Sequence, residues 1–251
     1  MNFLALFKKP NLIAAHRGDR SQKPENTLSA LASSIGKCDF IEIDVQLSKD
    51  LVPVIIHDHT LGRTSDVSEV AKFANKAPWR VSDFTEEELR SLDFGSWFDH
   101  QYEPILTLEK ALSFAKEHHL FLNVEIKDMS STFNDETVVE IIIDMIKKTQ
   151  TEYLVLLSSF YHPYLPVCKK RSSQIATAAL QRSTHPSNLI DYLHMLQVDA
   201  YHPQDKICDQ KTVSSLKEAG FFVNVFTVNN TKREKELFDW GVSGVFTDFL
   251  A

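Results

Sequence analysis

The sequence predicts an α/β chain of the TIM (β/α)₈ barrel class, and three observations point there. Eight short apolar runs with strand character recur along 251 residues. Helical patterns separate most of them, as parallel strands require. Two of the runs place carboxylates on every second residue, opposite a wholly apolar face. A doubly wound sheet satisfies the same strand count.

The strands are expected at Asn11–Ala15, Phe40–Val45, Leu120–Ile126, Tyr153–Ser158, Gln174–Leu180, Val198–Tyr201, Phe221–Val228 and Gly244–Thr247. Helical periodicity occupies Thr27–Gly36, Thr107–His119, Asp135–Lys148, Ser187–Leu196, Thr212–Gly220 and Thr231–Gly241. Asn134 before one helix and Gly220 after another supply start and stop signals. A further strand, Val52–Asp58, breaks the rhythm. Only about five residues separate it from the second strand, and a parallel crossover needs about a dozen. It is therefore expected to return antiparallel, as a hairpin that carries His57 back to within two residues of Glu42.

Composition bounds the function. With 43% hydrophobic residues the chain can bury a large core, which excludes disorder. The excess of 34 acidic over 27 basic residues argues against a nucleic-acid surface. Cys38, Cys168 and Cys208 lack the spacing of a disulfide framework or a zinc site and read as reduced thiols. The apolar start, MNFLALFKKPN, is too short for a signal peptide, and no run is long enough to span a membrane. The expectation is one cytoplasmic domain over residues 1–251.

In FIEIDVQ, Ile41, Ile43 and Val45 share one face, and Glu42 and Asp44 the other. A half-solvated surface strand shows the same alternation. In a parallel barrel, however, the second face points inward, where unpaired carboxylates cost several kcal/mol each. LFLNVEIKD repeats the pattern, with Asn123, Glu125 and Lys127 opposite Leu122, Val124 and Ile126. Glu42, Asp44 and Glu125 together make a hard oxygen site suited to Mg²⁺ or Ca²⁺. Arg17 and Lys127 beside a divalent ion suit phosphoryl oxygens. The sum of these charges is one positive unit, which a single phosphodiester neutralises. His16 and His57 add an acid–base pair near neutral pH.

Five motifs then carry a resemblance: HRG at His16–Gly18, PENT at Pro24–Thr27, EIDV at Glu42–Val45, VIIHD at Val54–Asp58 and EIK at Glu125–Lys127. Together they resemble glycerophosphodiester phosphodiesterases, with weaker agreement at Arg63–Asp66, Phe84–Phe98, Pro104–Leu112, Val223–Asn229 and Gly244–Asp248. The resemblance implies a TIM barrel, a divalent metal and hydrolysis of a glycerophosphodiester to glycerol 3-phosphate and an alcohol. It assigns Glu42, Asp44 and Glu125 to the metal, His16 and His57 to acid–base work, and Arg17 and Lys127 to the phosphate. It also makes Glu25 and Asn26 supports of that centre and implies a small insertion after the second strand and its hairpin, at about 59–102. Two departures stand out: Phe226 where the family commonly has Trp, and a final TDFLA without the usual proline and onward helix.

Plainer readings apply elsewhere. Asn26 suits the N-cap of the first helix, and His118 and His119 suit a helix C-terminus. Trp97 and Phe98 line the mouth or pack the insertion, and His202 and Asn224 lie near the rim. Rival functions are a barrel phosphodiesterase forming a cyclic product or cleaving lysophospholipids, and a phosphoglycerol-binding protein without catalysis.

Overall fold

A computed structural model describes residues 2–250. One sheet contains ten strands: β1 (Leu12–Ala15), β2 (Phe40–Leu47), β3 (Pro53–Ile55), β4 (Leu106–Thr107), β5 (Leu122–Ile126), β6 (Val155–Ser159), β7 (Ala176–Gln181), β8 (Ala200–Pro203), β9 (Phe222–Val225) and β10 (Gly244–Thr247). Eight of them are parallel and close on themselves in the order β1-β10-β9-β8-β7-β6-β5-β2, with β1 pairing to β2. This is the TIM barrel expected from the alternating strands and helices.

The eight residues of β2 explain how the extra strands attach. One of its edges pairs with β5 from Ile41 to Val45. Along the opposite edge, Phe40 and Ile41 pair with β1, and Val45 to Leu47 pair antiparallel with β3. Closure of the ring and attachment of the hairpin therefore use successive stretches of one strand. β4 adds antiparallel to β3, outside the barrel. The register Val45↔Ile55 and the bond from the Ile56 N–H to the Asp44 carbonyl bring His57 beside the top of β2, as the short connection predicts.

The period-2 pattern sorts each barrel strand into two environments. Ile41, Ile43 and Val45 of β2 face outward with Val124 and Ile126 of β5. They join Ile142 and Ile146 of the helix Asp135–Thr149 in one apolar cluster. Their inward neighbours differ from bottom to top. The lower interior is phenylalanine-rich and closed from below by the helix Phe3–Leu6, whose N-cap Asn2 accepts from the Ala5 N–H. Phe3 lies 5.2 to 5.5 Å from the rings of Phe7, Phe40 and Phe121, each edge to face. The apolar start of the sequence is thus a plug for the barrel floor. Above it the interior turns polar, with Glu42, Asp44, Asn123, Glu125, Ser158, His202 and Asn224 buried.

The segment after the hairpin, expected as an insertion, builds an apolar cluster from Leu61, Phe73, Phe84 and Leu89 against Val54, Ile56 and Ile105. Trp97 and Phe98 are not in it. They lean on each other at 5.6 Å on the helix Ser96–Asp99, partly exposed.

The plug yields a direct test. Phe3→Ala removes a fully buried aromatic ring and is expected to lower unfolding stability by about 3–5 kcal/mol in urea titration. A loss under about 1 kcal/mol would show that the plug is not docked.

Candidate active site

β2 and β5 pair in register, with Glu42 opposite Asn123 and Asp44 opposite Glu125. Their inward side chains therefore converge, and one carboxylate oxygen from each of Glu42, Asp44 and Glu125 lies within 4.8 Å of the others. All three are buried, at 4, 1 and 8% exposure, so the charges must be compensated locally. Burial, with Asp44 and Glu125 nearby, pushes the Glu42 carboxyl well above the usual carboxylate range. Burial also raises Glu125, against the pull of Lys127. Asp44 goes the other way: burial opposes its ionisation, but Lys127, Arg17 and His57 outweigh that and keep it ionised. The Lys127 ammonium lies 2.6 Å from Glu125 and 3.2 Å from Asp44 and stays charged, although burial works against it.

The loop after β1 wraps over these acids. Arg17 takes the left-handed conformation, so its own N–H donates to Glu42 at 2.8 Å while its guanidinium reaches Glu25 at 2.8 Å. Gly18 follows with φ +78°, and a Cβ there would meet Ala30 at 2.8 Å, so only glycine lets the loop lie against the first barrel helix. Asn26 has φ +60° and binds Asp44 twice, donating from Nδ2 to Oδ2 and accepting from its N–H. Asn26 is therefore not the helix cap. Thr27 is, its hydroxyl accepting from the Ala30 N–H, because the Asn26 side chain is committed to the acid cluster. Glu25 collects three guanidinium groups, from Arg17, Arg20 and Arg63.

Each candidate histidine leans on a carboxylate. β1 and β10 pair with Ala15 opposite Thr247, which sets the next residues, His16 and Asp248, side by side. His16 Nδ1 lies 2.7 Å from Asp248. Asn229 and Arg20 also donate to Asp248, at 2.7 and 3.2 Å. His57 Nδ1 lies 2.5 Å from Asp58, which Arg63 holds through Nε and Nη2 at 2.6 and 3.1 Å. Burial opposes ionisation of both carboxyls, yet Arg63 and His57 hold Asp58 down to about 2, and His16 does the same for Asp248. Burial is also the main reason that both imidazoles titrate below their ordinary value.

A cavity of about 270 Å³ opens here. His16, Arg17, Glu42, His57 and Glu125 line one side, and Phe160, Leu180, Arg182 and Phe226 the other. Phe226, which stands where the family commonly has Trp, packs edge to face on Phe160 at 5.6 Å. Lys127 does not line this cavity; it sits behind the acids. His202 is fully buried, its Nε2 accepts from Asn224 Nδ2 at 2.9 Å, and burial pushes it down to about 3. Trp97, Phe98, His118 and His119 lie off the cavity. The donor set of three carboxylates, free of sulfur and imidazole, fits a hard divalent cation.

Sequence reading passed over Asp58, Asp248, Arg20, Arg63 and Asn229. Asp58 and Asp248 end the VIIHD and GVFTD segments, and the histidine that each backs is evident only in the folded chain.

A family model described as the glycerophosphoryl diester phosphodiesterase family matches residues 16–251. A glycerophosphodiester phosphodiesterase of Bacillus altitudinis is 32% identical over 94% of this chain and 94% of its own. Its counterpart from Caldanaerobacter subterraneus subsp. tengcongensis is 33% identical, over 94% and 93% respectively. Among solved structures, an Oleispira antarctica phosphodiesterase in complex with the product sn-glycerol-3-phosphate superposes with a TM-score of 0.85. It is 31% identical, over 97% of this chain and 95% of its own. With a matching fold, four of the five motifs lining one cavity, the fifth bonded to Asp44 and Arg17 behind it, and relatives alike over nearly their full length, the chain belongs to the glycerophosphoryl diester phosphodiesterase family.

Proposed function

We propose that this protein hydrolyses glycerophosphodiesters to glycerol 3-phosphate and an alcohol. Glu42, Asp44 and Glu125 would hold a divalent cation, Mg²⁺ or Ca²⁺, and His16 and His57 would move the protons. The observation that carries this reading is the meeting of two carboxylate-backed imidazoles and a buried carboxylate cluster on one cavity. Family membership supports the reaction class, and the product bound to the Oleispira relative supports the substrate.

Charge supports it too. The sequence alone shows three acids and two cations, but the folded site is larger. With every carboxyl ionised, as a bound cation would require of Glu42 and Glu125, the acids Glu25, Glu42, Asp44, Asp58, Glu125 and Asp248 outnumber Arg17, Arg20, Arg63 and Lys127 by two. A divalent cation removes that deficit, and the incoming phosphodiester restores one negative charge. Protonating one of the two histidines offsets it, which leaves one imidazole as acid and the other as base.

The cation, when bound, would polarise the phosphoryl group and bind its oxygens. The residues do the rest. Arg17 lines the cavity and offers its guanidinium to the phosphate, while Lys127 acts from behind by keeping Asp44 and Glu125 apart in charge. Because Nδ1 of each histidine faces a carboxylate, Nε2 is the nitrogen free to exchange a proton. Water attacks phosphorus and gives its proton to one imidazole. The bond from phosphorus to the alcohol oxygen breaks, and that oxygen takes a proton from the other imidazole.

Two outcomes test this. Glu42→Gln is expected to lower kcat/KM by more than the roughly 10–100-fold that loss of an outer-shell partner costs, and to weaken Mn²⁺ binding in calorimetry. Wild-type turnover by Glu42→Gln in the presence of chelator would contradict the metal role. Secondly, His16→Ala and His57→Ala are compared on an alkyl diester and a nitrophenyl diester. Loss of the base slows both substrates by about 10²–10⁴-fold, and loss of the acid spares the nitrophenyl diester, whose leaving group needs no proton. Equal losses on both substrates in both variants would reduce the histidines to phosphate ligands.

A further inference from the structure

The cavity has a second wall that the chemistry above does not use. Phe160 follows β6, and its ring packs on Phe226 after β9. Arg182, the first residue beyond β7, lays its guanidinium 4.7 Å from the Phe160 ring centre and lines the same cavity. Arg182 is exposed, and stacking on the ring biases its long side chain toward the cavity. Its charge situation sets it apart. Arg17, Arg20, Arg63 and Lys127 are all paired with carboxylates, whereas among the described residues Arg182 makes no ion pair. It is the cation lining the cavity whose charge is left for a ligand.

We propose that Arg182, seated on Phe160, selects the alcohol side of the substrate. It would favour glycerophosphodiesters whose alcohol carries an anionic group over those whose alcohol carries a quaternary ammonium. This deepens the hydrolase reading and rests on it. The phosphate is the group already matched to Arg17 and the acid cluster. The glyceryl part is uncharged in every glycerophosphodiester, so an unpaired guanidinium finds nothing to pair with there. The alcohol is the part whose charge varies. An aromatic wall alone would attract a quaternary ammonium through the ring face. Here Arg182 already occupies the face of Phe160 and repels a second cation, so the wall's preference is reversed. A carboxylate on the alcohol instead meets a planar donor fork that can bind it through two N–H groups.

The test measures kcat/KM with Mg²⁺ on three diesters of glycerol 3-phosphate, whose alcohols are 3-hydroxypropionate, ethylene glycol and choline. The wild type is expected to prefer them in that order. Arg182→Gln should lower the ratio of the carboxylate to the choline substrate by about tenfold, because attraction for one and repulsion of the other are lost together. Arg182→Glu should invert the order, and Arg182→Lys should keep it. Raising the salt concentration should shrink the wild-type ratio, as expected of a charge at a cavity mouth. A ratio that stays within about twofold in both Arg182→Gln and Arg182→Glu would overturn the proposal while leaving the hydrolase reading intact. No turnover of any of the three by the wild type would overturn the hydrolase reading and this inference with it.

Discussion

Three carboxylates buried side by side are the constraint on which the rest of the site depends. Left alone, each costs several kcal/mol and would be protonated. Asp44 escapes that fate because Lys127, Arg17 and Asn26 all bind it; Glu42 does not, and its carboxyl stays high. Arg17 in turn needs an anchor and finds it in Glu25, which also holds Arg20 and Arg63. Those two arginines then reach outward to Asp248 and Asp58, the carboxylates that orient the histidines. One continuous network thus runs from the buried acids to His16 and His57. Its positions are set by backbone features that tolerate little change: the in-register β2–β5 pair, the left-handed Arg17 and Asn26, and the close approach of Gly18 to Ala30.

The barrel interior divides along its axis. Its floor is phenylalanine, sealed by the N-terminal helix, and supplies the apolar burial that a domain of this size needs. Its upper half is polar and spends stability on the site. This division matches the general behaviour of such barrels, where the C-terminal ends of the strands carry chemistry and the opposite end carries stability. His202 and Asn224 lie between the two, paired with each other, and His202 remains neutral at physiological pH.

Much of this was legible in one dimension, and the exceptions share a cause. Alternation over Ile41–Val45 and Leu122–Ile126 told the inward face from the outward one, and the length of the Ser48–Leu51 connection fixed the hairpin's direction. Motif matches named the acids and both histidines. Most of what escaped depends on pairings distant in sequence. Asp248 stands 232 residues from His16, and barrel closure alone makes them neighbours. Arg63 reaches Glu25 across 38 residues only because the hairpin folds back over the β1 loop. Asn26 looked like a cap because its local sequence suits one; the pull of buried Asp44 took its side chain and left the cap to Thr27. The opening apolar run is too short for a signal peptide, and nothing local shows that a barrel floor is waiting for it.

The central claim is that the buried acids exist to hold a divalent cation. The most direct measurement is anomalous X-ray scattering from crystals soaked in Mn²⁺, recorded at the manganese edge. One strong peak bonded to oxygens of Glu42, Asp44 and Glu125, with the Lys127 ammonium drawn back from Glu125, is the predicted result. No peak between these carboxylates, or a peak only elsewhere on the protein, would contradict the account.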